Sequence, residues 1–305
     1  PGTPMPAHRA TEEGIKDPVS LEDRWHIANY VYSLRDNTTP LTDSVVIRAA
    51  KTAETLPNSI DGDLWSSAEP TTLMLVPNII KEERLFTPLN DAVTVRALYN
   101  DRDIALLLEF DDRTDSRPGE EVSVGIQDEN LELYSDAVAV QFPKEDGYES
   151  KPVVVKPLYR HGDKRHHTTM WYWNAGSVEP AVLSSGMLLD ATGPNNKIEP
   201  RIGDDTLQTS AEWKDGRWRV LLKRPRNGSG RDSKSGDINF VEGKFLPISF
   251  ANWDGSNGEK ASKHTLTTWA WLVLPPEVDE NRLYGVPAAV AFALFILGLL
   301  LVKSQ

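Results

Sequence analysis

Four side chains carry donor atoms suited to a transition metal and stand where a fold could turn them inward: His161, Met74, Lys244 and Lys263. His161 opens the string HGD, a few residues ahead of the tryptophan-rich run MWYWNAG, and imidazole is among the commonest metal ligands. Met74, in TTLMLVP, offers a soft thioether, while Lys244 and Lys263 flank the last apolar runs and would ligate as neutral amines if burial stripped their protons. Each also has a plainer role. His161 sits among Arg160, Lys164, His166 and His167, the makings of a solvated basic patch; a methionine in an apolar strand is ordinary core filling, and lysines are usually solvated. Other chemistry finds little footing, because HExxH, GxSxG, a phosphate-binding glycine loop and a dinucleotide fingerprint are all missing. The 45 acidic residues single out no pair for glycoside hydrolysis. Asp111, Asp112, Asp115, Glu120 and Glu121 gather in one loop that lacks the glycine and ligand spacing of an EF-hand, and it reads as a solvated turn.

The elements that must position these donors are strands. Residues 93–99 and 104–110 are apolar runs flanking the polar Asn100-Asp101-Arg102-Asp103, the pattern of a hairpin. Similar runs recur at 137–142, 170–173, 207–213, 218–223, 248–253 and 266–274, and Asp215-Gly216 supplies the positive-φ turn of a second hairpin. Many short strands with turn residues between them predict a mainly β chain built as an antiparallel β-sandwich. Its tryptophans, Trp171, Trp173, Trp213, Trp218, Trp253 and Trp269, suit a sandwich core, a cofactor pocket or a sugar-stacking platform.

The two ends read differently. Ser20-Leu21-Glu22-Asp23 has a capping-box pattern, and the helix predicted over 21–34 carries a wide apolar face of Trp25, Ile27, Ala28, Tyr30, Val31, Tyr32 and Leu34. Thirty-five residues cannot bury so wide a face alone, so it needs a partner. At the other end, 286–302 reads VPAAVAFALFILGLLLV, an uncharged run that as a helix spans roughly 26 Å, enough for one membrane crossing. Lys303 after it and the acidic PPEVDENRL before it place the short tail in the cytoplasm and the body on the periplasmic side. A formal net charge of −12 and a pI near 5.0 argue against nucleic acid or anionic lipid surfaces and suit basic redox proteins or small solutes. There is no cysteine.

Two resemblances extend this. The string GTPMP followed by LEDRWHIANYVYSL resembles the axial-methionine loop and C-terminal helix of class I cytochrome c. That likeness implies Met5 as the sulfur ligand of a c-type haem, with the C-x-x-C-H attachment motif expected upstream of Pro1. VRALYNDRDIALLLEFDDRTD, DAVAVQFP, HGD with MWYWNAG, EWKDGRWRVLLKRP and LPISFANWDGSNGEK, in that order, resemble the haem-binding gamma subunit of ethylbenzene dehydrogenase, of the type II dimethyl sulfoxide reductase group. This second likeness implies a b-type haem at one end of a sandwich, with methionine and lysine as the family's axial ligands. His161 falls where relatives often carry methionine, so imidazole would replace thioether there.

The expected organisation is a cytochrome c C-terminal segment (1–35), a linker (36–41), a haem-binding β-sandwich (42–276), a second linker (277–285) and a transmembrane helix (286–302). The resemblances imply an electron-transfer subunit, not an enzyme, working between a membrane respiratory complex and a periplasmic oxidoreductase, a molybdenum enzyme among them. The other reading is a haem-free ligand-binding or scaffold subunit. Met5, His161, Met74, Lys244 and Lys263 are the candidate ligands.

Overall fold

The computed structural model describes residues 45–117, 134–144, 157, 161–163, 166–176, 186–193, 197–227, 237–276, and, further on, 284–285, 287–292, 294 and 296. Met5 and the helix expected over 21–34 lie outside the described residues. In chain order the strands are Val46–Arg48 (β1), Ala50–Lys51 (β2), Thr71–Met74 (β3), Val76–Pro77 (β4), Ala92–Tyr99 (β5), Asp103–Asp111 (β6), Ala137–Pro143 (β7) and Thr168–Asn174 (β8). Met187–Ala191 (β9), Glu199–Pro200 (β10), Gln208–Lys214 (β11), Arg217–Pro225 (β12), Phe245–Trp253 (β13), Thr265–Leu266 (β14) and Ala270–Val273 (β15) follow.

Among the described residues these strands make two sheets. The larger runs β1-β15-β13-β7-β8-β9-β10, with β14 bridging β13 to β4; the smaller runs β11-β12-β6-β5-β2, with β3 on β5. Pairing is antiparallel except at two edges, where β1 lies parallel to β15 and β2 parallel to β5. The purely antiparallel sandwich read from the sequence is thus corrected. The chain enters as one extended segment that pairs first with one sheet and then with the other, and an entering strand need not reverse on its neighbour. The apolar run 266–274 is also two strands rather than one, because Thr267 turns its backbone N–H to the Phe250 carbonyl at 2.9 Å between them.

The hairpins form for the local reasons their residues suggest. At β5–β6, the Asn100 side-chain oxygen accepts from the N–H groups of Arg102 and Asp103 at 2.9 and 2.8 Å, closing the turn from within. At β11–β12, Asp215 and Gly216 sit at φ 53° and 77°, the left-handed pair whose twist matches that of the flanking strands.

Alternation decides the layers. On β7 the side chains of Val138, Val140 and Phe142 face the core between the sheets, where they meet Trp171, Leu106, Leu108, Val220 and Ile248. The outer face of the smaller sheet is covered too: Leu98, Ala105, Leu107 and Leu221 pack under Leu56, Ile60, Trp65 and Ala68, carried by the segment before β3 and its short helix Asp63–Ser67. The outer face of the larger sheet is built otherwise, and it holds the cavity.

Candidate functional site

Small residues hollow out the larger sheet. At its centre Ala139 on β7 lies opposite Tyr172 on β8 and Ala251 on β13, while Ala137 and Ser249 flank it on the same face. A cavity of about 530 Å³ opens over this floor, a volume typical of small-molecule and cofactor sites. Met170, Leu189, Ile198 and Leu266 keep the lining largely apolar, and within it Gln141 bonds to Ser249 at 3.1 Å.

Two loops bring donors to the cavity from opposite ends of β7. The first, between β7 and β8, carries His161; Thr168, where β8 begins, pairs with Pro143, the last residue of β7. The second follows β13, whose final residue Trp253 pairs with Ala137, the first of β7. This loop places Glu259, Lys260 and His264 in the wall. A seven-residue strand spans roughly 20 Å, so the two loops reach the cavity from well-separated points.

His161 is held with care. It takes the left-handed conformation at φ 65°, uncommon outside glycine, and Gly162 continues it at φ 71°. A Cβ on Gly162 would come within 2.3 Å of the His166 carbonyl, so only glycine lets the chain pass. Asp163 clamps the turn, exchanging backbone bonds with His166 at 2.9 Å and 3.0 Å, the latter to its carboxylate. In the HGD string glycine makes the turn, aspartate locks it, and His161 lines the cavity with its Nδ1 shielded from solvent.

In the second loop, Lys260 reaches the Tyr134 hydroxyl and lies 4.4 Å from the centre of that ring. His264 is buried, with its Nδ1 at 2.8 Å from the Ala261 carbonyl and its ring against Trp253 at 4.8 Å. A carbonyl can only accept, so Nδ1 carries the proton and, in neutral imidazole, Nε2 is the basic nitrogen. Burial pushes Glu259 up to about 7, the charge of Asp254 adding to this while bonds from Asn257 and the Asp254 backbone and the charge of Lys263 oppose it.

The sequence-derived candidates divide accordingly. His161 lines the cavity; Lys263 stands in the same loop as Lys260 but turns its amine to the Asn257 carbonyl at 3.0 Å. Met74 is 67% exposed on β3 of the smaller sheet, and Lys244 is exposed ahead of β13, so neither belongs to the cavity. Sequence reasoning missed Met170, Lys260 and His264. Met170 was legible in principle, since on β8 it alternates with the core-facing Trp171 and Trp173 and so had to face outward.

The ethylbenzene dehydrogenase family model matches residues 62–199 and 184–265, together well over half the chain. The chain belongs to the ethylbenzene dehydrogenase family. Both loops and the whole floor of the cavity lie within the matched region. A protein of Haloferax mediterranei named as a candidate respiratory nitrate reductase haem subunit is 25% identical over 184 residues, covering 59% of each chain. The chlorate reductase gamma subunit of Ideonella dechloratans is 25% identical over 142 residues, covering 47% of this chain and 51% of that one. The match thus spans between half and three-fifths of these relatives. Solved structures of similar shape include a family 9 carbohydrate-binding module from Caldicellulosiruptor kristjanssonii, bound to cellotriose, at TM-score 0.39 and 11% identity over 77% of this chain and 96% of that one. A candidate carbohydrate-binding protein from Bacteroides uniformis gives TM-score 0.42 and 11% identity over 77% and 92%.

Among the described residues no helix is long and apolar enough to cross a membrane. Of the run 286–302, residues 287–292, 294 and 296 are described; they are helical and exposed, Val290, Phe292, Leu294 and Ile296 among them.

Proposed function

We propose that the cavity holds a non-covalent b-type haem and that the chain is an electron-transfer subunit of a reductase complex, not itself a catalyst. The observation that carries this is the hollow outer face of the larger sheet, apolar in its floor, with imidazole and amine donors brought to it from opposite ends of β7. The donor chemistry fits. Nitrogen and thioether ligands suit haem iron, and an apolar surround governs its potential. When bound, the haem supplies one-electron exchange between ferric and ferrous iron. His161 and Lys260 would hold the iron, with Met170 and His264 as the remaining donors in the wall. Ala137, Ala139 and Ala251 would leave room for the group, and Tyr172 and Trp253 would exclude water around it.

The relatives' names support the partner: a subunit of nitrate or chlorate reductase type works beside a molybdenum oxidoreductase, and this chain would pass electrons between such an enzyme and a membrane respiratory complex. The apolar run 286–302 would tether the body to the bilayer from the periplasmic side. By the cytochrome c likeness of residues 1–35, Met5 would be a ligand of a second, c-type haem.

Acid–acetone extraction separates non-covalent haem from thioether-linked haem and so tests the reading on the full chain. About one extractable haem per chain is expected, with substantial loss in His161→Ala and in Lys260→Ala. A parent chain with no extractable haem would overturn the b-haem reading. Retention of membrane association through carbonate washing, lost on truncation after Leu274, is expected of the anchor; a truncated body that stays with the membrane would refute it.

A further inference from the structure

The acidic loop that reads as a solvated turn is not solvated at Asp112. Asp111 does face water, paired with Arg217, but Asp112 is 2% exposed, and it meets two other buried carboxylates, Asp136 and Asp254, from distant parts of the chain. One carboxylate oxygen from each lies within 4.8 Å of those of the other two. The three come from the end of β6, the start of β7 and the end of β13, so the cluster joins both sheets at one end of the sandwich.

Most of their oxygens have assigned work. Asp136 accepts from the N–H groups of Ser116 and Gly255 at 2.7 and 2.9 Å and from the Trp218 indole at 3.0 Å. One Asp254 oxygen accepts from the Ser256 hydroxyl at 2.7 Å and the Asn257 N–H at 3.1 Å. Oδ1 of Asp112 accepts from Thr114, whereas its Oδ2 is buried with no hydrogen-bond partner among the described residues. An orphaned carboxylate oxygen in a core carries a large desolvation cost. The charges that Asp136 and Asp254 bring to Asp112 are of its own sign. A cation relieves both defects at once.

We propose that Asp112, Asp136 and Asp254 form a structural calcium site. The donor set is oxygen only, which selects a hard cation, and three carboxylates from three separate segments suit calcium, whose coordination is flexible, better than magnesium, which keeps several waters and takes one or two carboxylates. The site's purpose follows from what Asp254 leads into. Gly255 passes so close to the Tyr134 carbonyl that a Cβ would stand 1.8 Å from it, and the loop that begins there carries Glu259, Lys260 and His264 to the cavity. Calcium fastens the root of that loop to β6 and β7. This does not depend on what the cavity binds.

The test uses the full chain as purified, depleted of divalent metal with a chelator, then titrated with calcium while thermal unfolding and bound metal are measured. Expected are one calcium per chain and a midpoint about 5–10 °C higher at calcium in large excess over its dissociation constant. Asp112→Asn should remain folded by circular dichroism and lose the calcium-dependent shift; if it does not fold, Asp254→Asn serves instead. No stoichiometric calcium, no shift on its addition, or a response to magnesium with none to calcium would each overturn the assignment.

Discussion

The outer faces of the two sheets have taken opposite paths. On the smaller sheet, Leu98, Ala105, Leu107 and Leu221 are capped by Leu56, Ile60, Trp65 and Ala68, so the sheet is apolar on both sides and its outer layer adds to stability. On the larger sheet no equivalent apolar layer is found among the described residues, and alanines and a serine leave about 530 Å³ of hollow under two loops. A sandwich needs only its middle layer to fold. Whichever outer face is left unfilled becomes a site, and its loops, not its strands, supply the chemistry.

Breaking the filled face should cost most. Trp65→Ala removes the largest cap residue and should lower stability by about 3–5 kcal/mol, read as the shift of a denaturant midpoint at unchanged slope. A loss below about 1 kcal/mol would mean the cap is a loose lid rather than a second core.

A smaller effect is expected at the free edge of the larger sheet, which charge secures in place of apolar cover. Arg201 bonds Asp190 on β9 and Asp237 at 2.6 Å each, and Asp237 also pairs with Arg224 of β12 at 2.9 Å, tying the two sheets together. Burial tends to raise Asp190, but bonds from Arg201 and Thr169 and the charges of Arg201 and Lys144 outweigh it and hold the group at about 2. A depressed carboxylate stabilises the fold above its unfolded value near 3.8 and loses that contribution as pH falls toward 2. For a side chain 27% exposed, the loss is on the order of 1–2 kcal/mol after solvent screening. Asp190→Asn should flatten the stability profile between pH 4 and pH 2; an unaltered profile would remove the edge from the comparison.

The smallest stability change is expected in the hollow itself. Ala139→Leu places a side chain in open space at the centre of the floor, so it should shift the midpoint by less than about 1.5 kcal/mol in either direction.

Much of this fold was legible because hairpins are local. Asp215-Gly216 and Asn100 to Asp103 fix their turns with their own side chains and backbones, and the flanking runs alternate in plain view. His161 was legible for the same reason, since histidine, glycine and aspartate complete their turn within six residues. What was hidden depends on register between distant strands. The hollow exists because Ala139 lies opposite Tyr172 and Ala251, and no single strand displays that coincidence. Asp112 looked solvated beside Asp111 because its companions are Asp136 and Asp254, far along the chain. Met74 looked like core because its neighbours are apolar, yet on β3 only the Leu73 side of the alternation faces inward. Lys260 and Lys263 are alike in sequence, and only the fold of their loop separates them.

The most direct measurement of the division between a filled and a hollow face is extractable haem per folded chain in a matched pair, Leu107→Ala and Ala139→Leu, beside the parent. Leu107→Ala should be destabilised by about 2–5 kcal/mol and keep its haem once folded, whereas Ala139→Leu should lose the haem and match the haem-free parent in stability. Equal retention in both variants, or a parent without haem, would contradict the assignment of the larger sheet's outer face as the cofactor site.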